Sequence, residues 1–282
     1  MRAIFLICLV IVAISSSPCM GGTVLGNSTA SLAGTNPSPL SPSVPSKITR
    51  VGMLCPTENE AARQQYNNAL ELQQEGRLRD AREAYQKAVE QDSRYCDAMD
   101  NLGQMLRTEG DVKQAIYWYE RSLAVKPDNA VAHQNLAVAY NVQGDQNKSQ
   151  SEYLWLIKND STNPEGYYGL GAILLGSGQT DAAIEKLALA EKIYRENGSS
   201  LAMDAQYLLG VAYFNKQDYK RSREYLALSY AQKQDDPNVN YLLGLCYLDP
   251  STGDKKQASE FLLKAGKLGV QVPPDVLQQL GK

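Results

Sequence analysis

Histidine is nearly absent from this 282-residue chain, which has one, His133, beside five cysteines and three phenylalanines. A lone histidine and scattered cysteines leave no material for a histidine-based nucleophile relay, a zinc cage or a disulfide-stapled miniature fold. No catalytic residue, metal or cofactor is therefore expected, and the chain does not read as an enzyme. An excess of one charge is missing too: 28 Lys and Arg stand against 31 Asp and Glu, a net of -3 at pH 7. No basic field exists to hold nucleic acid by counterion release, so a nucleic-acid partner is not expected. Also missing is an apolar run of the ~20 residues that a membrane-spanning helix needs. What is plentiful is tyrosine, with 17 residues, a ring that packs on its face and offers a polar tip. The 43% of hydrophobic residues is enough to bury a substantial core.

The longest apolar run, Ala3 to Ile14, follows Arg2 and leads into Ser15, Ser16 and Ser17, the order of a secretory signal. Residues 1–20 are read as that signal, with cleavage expected after Ser15, and the chain as exported to the periplasm or cell envelope, or otherwise secreted. Cys19 stands where a lipoprotein carries its acylated cysteine, although Ser16, Ser17 and Pro18 fit a lipobox poorly. Lipidation there would be the membrane anchor. Residues 21–50 turn to Gly, Ser, Thr and Asn, with Pro37, Pro39, Pro42 and Pro45 and no acidic residue. Such a stretch cannot form a core and reads as a disordered tether with a reach of about 30 Å.

The remainder, residues 51–282, is periodic. Leu102-Gly103, Leu136-Ala137 and Leu170-Gly171 follow one another at 34 residues, and Leu209-Gly210 and Leu243-Gly244 are again 34 apart. This pattern resembles the tetratricopeptide repeat, a helix-turn-helix unit with small residues at repeat positions 8 and 20 and a large one at position 24. Position 8 holds Ala69, Gly103, Ala137, Gly171, Gly210 and Gly244, and position 20 holds Ala81, Ala115, Ser149, Ala183, Ser222 and Ala258. Position 24 holds Tyr85, Tyr119, Tyr153, Leu187, Leu226 and Leu262. Gly76, Gly110, Gly144 and Gly178 sit where the first helix of a unit should end, and Asp111, Asp145, Asp181 and Asp218 near the start of the second. Thr57 with Glu60 reads as a capping box ahead of the first unit.

The resemblance implies an all-α, right-handed α-solenoid of about six repeats, near residues 62–95, 96–129, 130–163, 164–202, 203–236 and 237–272. Pro273-Pro274-Asp275 then opens a short C-terminal capping helix, whose Val276, Leu277 and Leu280 are expected to cover the last apolar face. In the family the first helix of each unit lines a concave groove through positions 5, 9 and 12. In the last three units those positions place Tyr168, Leu175, Tyr207, Val211, Phe214, Tyr241, Leu245 and Leu248 in the groove, a trough suited to a protein or peptide segment. The chaperone-tail sites known in the family fall on Tyr66, Leu70, Asn101, Val131 and Asn135, of which only Asn101 fits. A non-enzymatic scaffold or assembly factor of the cell envelope is the favoured function. Signal, tether and repeats together resemble bacterial envelope assembly factors, including the lipoproteins that help type IV pilus secretins assemble. A self-associating structural protein and an adaptor of a cell-wall or secretion enzyme are the alternatives.

Cys55 and Cys96 are the candidate disulfide, since both fall at one edge of the expected stack and export permits the bond. Cys246 reads as a small buried apolar residue, and His133, at repeat position 4, as a half-buried structural one.

Overall fold

The computed structural model describes residues 55–250 and 253–281. The signal (1–20), with Cys19, and the tether (21–50) lie outside the described residues. Among those described, the chain is helical and contains no strand. In order come α1 (Glu60–Gln74), α2 (Leu78–Gln91), α3 (Cys96–Thr108), α4 (Val112–Val125), α5 (Ala130–Gln143), α6 (Gln146–Asn159) and α7 (Pro164–Gly176). There follow α8 (Thr180–Glu196), α9 (Ala202–Asn215), α10 (Tyr219–Gln232), α11 (Pro237–Tyr247), α12 (Lys255–Lys267) and the short α13 (Pro274–Leu280). The all-α helix-turn-helix repeat fold expected from the sequence is the fold observed. The chain forms two compact units, one ending at Gly169 and the other beginning at Leu170.

The corners explain why the helices stop where they do. Gly76, Gly110, Gly144 and Gly178 all have positive φ, between 77° and 91°, a conformation that costs glycine nothing. The next amide then reaches back to the last turn: Arg77 N–H donates to Leu72 O, Asp111 to Leu106 O and Asp145 to Tyr140 O, each at 2.9 Å. This closure satisfies carbonyls that the ended helix leaves open. In the fifth unit Gln217 takes the same place with φ 60°, and Asp218 N–H closes onto Tyr213 O at 2.9 Å.

Four of the second helices, α4, α6, α10 and α12, start on aspartate caps. The side chains of Asp111, Asp145 and Asp218 accept from the amides of Gln114, Lys148 and Arg221. Asp181 does not cap: α8 begins after Gln179, and Asp181 sits inside its first turn, paired with Lys216. The expected Thr57 box is also displaced. Asn59 caps α1 by accepting from Ala62 N–H, while Thr57 accepts from the Asn59 amide at 2.9 Å and donates to Asp92. Thr57 is drawn away because Asp92, at the end of α2, offers its hydroxyl a charged acceptor.

The core is built from the three repeating positions. All six position-20 residues are fully buried. Ser149 and Ser222 donate from that position to the carbonyls of Ala137 and Gly210, at 2.7 and 2.8 Å, so positions 20 and 8 face one another across the helix pair. The large position-24 side chain then lies over position 8. A Cβ on Gly171, Gly210 or Gly244 would stand 2.6–2.7 Å from Cγ of Leu187, Leu226 or Leu262. Leu156, fully buried, occupies a place where the other units have Ala or Ser, and Gly166 makes the room: a Cβ there would stand 3.1 Å from Leu156 Cβ.

In the unit from Leu170, α13 covers less than expected. Val276 is buried, but Leu277 is 42% exposed and Leu280 half-buried. Seven residues make two turns, and with Val276 turned inward its neighbour Leu277 points about 100° away around the helix.

Candidate partner-binding face

Position 5 of a first helix lies beside the start of the next first helix, and in the first unit its ring also packs on the unit's own second helix, Tyr66 against Tyr85 with ring centroids 5.5 Å apart. Tyr66 shows the arrangement in the unit ending at Gly169. Its hydroxyl accepts from Asn101 Nδ2 at 3.0 Å, and its phenol is pushed up to about 12 by burial, then by the Asp97 carboxylate. Asn101 also donates to Tyr85 Oη at 3.3 Å, and Tyr85 donates to Gln73 Oε1 at 3.0 Å. Asn101, the one residue that fitted the chaperone-tail pattern, thus spends its amide on two tyrosines within the fold.

In the unit from Leu170 the same position is held by Tyr207 on α9 and Tyr241 on α11, both half-buried. Burial and then Asp236 push the Tyr207 phenol up to about 12, and burial followed by Asp275 raises that of Tyr241. Each tyrosine therefore lies near a carboxylate at the start of a following helix. Phe214, Leu245 and Leu248 are half-buried on the same helices or at their ends, and Phe214 packs edge-on against Tyr219 with ring centroids 5.5 Å apart.

The structure does not bring all eight predicted groove residues to a surface. Leu175 and Val211 are 7% and 1% exposed, so they lie in the core and cannot touch a partner. Tyr168, on the part of α7 that belongs to the unit ending at Gly169, is half-buried. What remains accessible is a strip of Tyr207, Phe214, Tyr241, Leu245 and Leu248.

Cys55 and Cys96 form a disulfide with their Cα atoms 5.4 Å apart, and Cys55 N–H donates to Asp97 Oδ1 at 3.1 Å. Beside it opens a cleft of about 400 Å³ lined by Glu58, Asp92, Arg94 and Lys126, with both signs of charge and no aromatic side chain. Cys246 is fully buried, donates to Ser222 Oγ at 3.3 Å, and has its thiol pushed up to about 11, chiefly by burial. His133 is more enclosed than its position suggested, at 8% exposure. It lies between Glu152 Oε2 at 2.6 Å and Pro127 O at 3.0 Å, stacked on Trp155 with ring centroids 3.5 Å apart. The role of Trp155 as the shelf for His133 depends on the spatial pairing of α5 with α6, which residue spacing alone does not reveal. Among the described residues no group of acidic, histidine and cysteine side chains is placed to hold a metal, and no helix is long and apolar enough to cross a membrane.

A family profile described as the tetratricopeptide repeat matches residues 66–130 and 187–237, on the same helix pairs that carry the small and large repeat positions. The chain carries tetratricopeptide repeats. Tetratricopeptide repeats form scaffolds for protein-protein interaction. Over 124 residues it is 27% identical to the CTR9 homolog protein of Arabidopsis thaliana, covering 44% of this chain and 11% of that protein. Over 168 residues it is 24% identical to the peroxisomal targeting signal receptor of Yarrowia lipolytica, covering 57% of this chain and 27% of that one. The chain thus spans about a tenth and about a quarter of the lengths of these curated relatives. Among solved structures, the Cut9-Hcn1 assembly of the APC/C aligns with a TM-score of 0.68 at 16% identity, over 80% of this chain and 43% of that one. PilF of Pseudomonas aeruginosa aligns with a TM-score of 0.66 at 20% identity, over 74% and 92%. At these identities the structures share the tetratricopeptide fold with this chain.

Proposed function

We propose that this chain is a non-enzymatic scaffold that holds a segment of a partner protein along the first-helix face of residues 170–281. The observation that carries the reading is the half-buried strip of Tyr207, Phe214, Tyr241, Leu245 and Leu248. Large rings and leucines on a preformed face, each with part of its surface still in water, gain most from a partner that completes their burial. In this proposal the scaffold works in the cell envelope or outside the cell, the setting that residues 1–20 call for, with the partner found there. The shared fold with PilF, and the peptide signal read by the peroxisomal receptor that this chain resembles in part, lend support to that role.

Site-specific photo-crosslinking tests it. A photoreactive residue replaces Leu245 on the strip or, as a control, Leu228, which is 49% exposed on the second helix α10. In an extract of the native host, crosslinked adducts are expected from position 245 and not from 228. Adducts from 228 alone would place binding on the other side of the helices and overturn the reading.

A further inference from the structure

The charges around this strip name the kind of segment it holds, an inference that rests on the binding face proposed above. α9, α11, α13 and the part of α7 from Leu170 contain no lysine or arginine, and the acidic residues among them are Asp204 and Asp275. The described basic residues of this unit stand on the second helices α8, α10 and α12 or in the corners. Carboxylates also frame the rings. Asp236, which caps α11, lies near enough to raise the Tyr207 phenol and the Asp204 carboxyl, and Asp275 near enough to raise the phenol of Tyr241. One lysine stands among them, Lys233, paired with Asp236 at 3.4 Å. Three carboxylates against one ammonium leave the rim negative, beside two phenol rings and the side chains of Phe214, Leu245 and Leu248.

We propose that the partner segment is cationic and apolar, with lysine or arginine spaced among large apolar side chains. Its apolar residues complete the burial of Leu245, Leu248 and Phe214, while its charged heads meet Asp204 and Asp275 and the faces of Tyr207 and Tyr241. An acidic segment is turned away by the same rim, because like charges brought together at a desolvating contact cost affinity and no basic side chain on these helices offsets them.

The test uses the full chain and three fluorescein-labelled amphipathic peptides of equal length, Leu with Lys, Leu with Ser and Leu with Glu, read by fluorescence anisotropy. The Leu/Lys peptide is expected to bind at least about tenfold more tightly than the others, and to weaken at least about tenfold from 0.05 to 0.5 M salt. The double variant Asp204→Asn, Asp275→Asn is expected to lose roughly threefold to tenfold of that affinity, Leu248→Ser about tenfold, and the outer-helix control Leu228→Ser nothing. Circular dichroism checks that each variant is folded. Equal binding of the Leu/Ser or Leu/Glu peptide overturns the charge selection and leaves the strip reading in place. Binding of the Leu/Lys peptide unchanged by Leu248→Ser, or no binding at all, overturns the proposal; crosslinks confined to position 228 would then show that the strip reading has failed as well. A concentration-dependent dimer in sedimentation velocity, abolished by Leu248→Ser, overturns it in favour of a second copy as the occupant.

Discussion

The ring of Tyr119 lies so close over Gly103 that a Cβ on that glycine would stand 2.6 Å from Tyr119 Cε1. Tyr119 is fully buried, so its ring has no empty space to move into. Gly103→Ala is therefore expected to destabilise the fold by about 1–3 kcal/mol despite alanine's better helix propensity. Gly266, in α12, has nothing within 4 Å of its missing Cβ, and there the same change should stabilise by about 0.5–1 kcal/mol. Urea unfolding of the two variants checks both signs. Equal effects would mean that position 8 is not a packing constraint.

Gln217 pays a backbone cost that its counterparts avoid. It holds φ 60° at a corner where four other units place glycine. Left-handed backbone costs a residue with a Cβ roughly 1–2 kcal/mol. Gln217→Gly is expected to recover about 0.5–1 kcal/mol after glycine's greater unfolded-state entropy is allowed for, a rise of about 1–4 °C in Tm for a chain of this size. Gly144→Gln, the reverse change in another unit, should lower Tm by a similar amount.

Asp100 gives the fold a pH dependence of known sign. It is 3% exposed, accepts from Asn129 Nδ2 at 2.7 Å, and has its carboxyl pushed up to about 7 by burial against the opposing hydrogen bonds. In the unfolded chain an aspartate titrates near ~4. Between those values the folded state holds the proton and the unfolded state does not. This group's contribution to stability is thus greatest below about pH 4, falls as pH rises towards 7, and is constant above that. Asn at this position keeps the acceptor for Asn129 and removes the titration. The stability of Asp100→Asn relative to the wild type should therefore rise across pH 4–7, by at most about 1.4 kcal/mol per pH unit, and level off above. Parallel stability curves for the two proteins would show that Asp100 ionises freely.

The disulfide between Cys55 and Cys96 closes a loop with a sequence separation of 41. Restricting the unfolded chain over such a loop is worth about 2–4 kcal/mol. Cys55→Ala, or reduction of the wild type, should lower stability by that amount, and reductant should have no further effect on Cys55→Ala. Buried Cys246 should resist alkylation in the folded protein and react only on unfolding, because its thiol is held away from ionisation and from solvent.

Small residues at positions 8 and 20, large ones at position 24 and glycines at the corners were legible because each is a local steric demand repeated in the chain: a close helix crossing admits no extra methylene, and a left-handed corner admits few residues other than glycine. The sequence by itself therefore determined the repeat, the helices and the surfaces they share. It did not determine which side chains of a helix face remain in water, since that depends on how closely neighbouring helices approach. Leu175 and Val211 have the same sequence credentials as Leu245 and Leu248, yet the first two are buried and the second two are not. The nearness of Asp236 to Tyr207 and of Asp275 to Tyr241 was likewise decided by tertiary structure. It arises where one first helix meets the start of the next, about a repeat further along the chain, and only packing brings a ring and a carboxylate at that separation together.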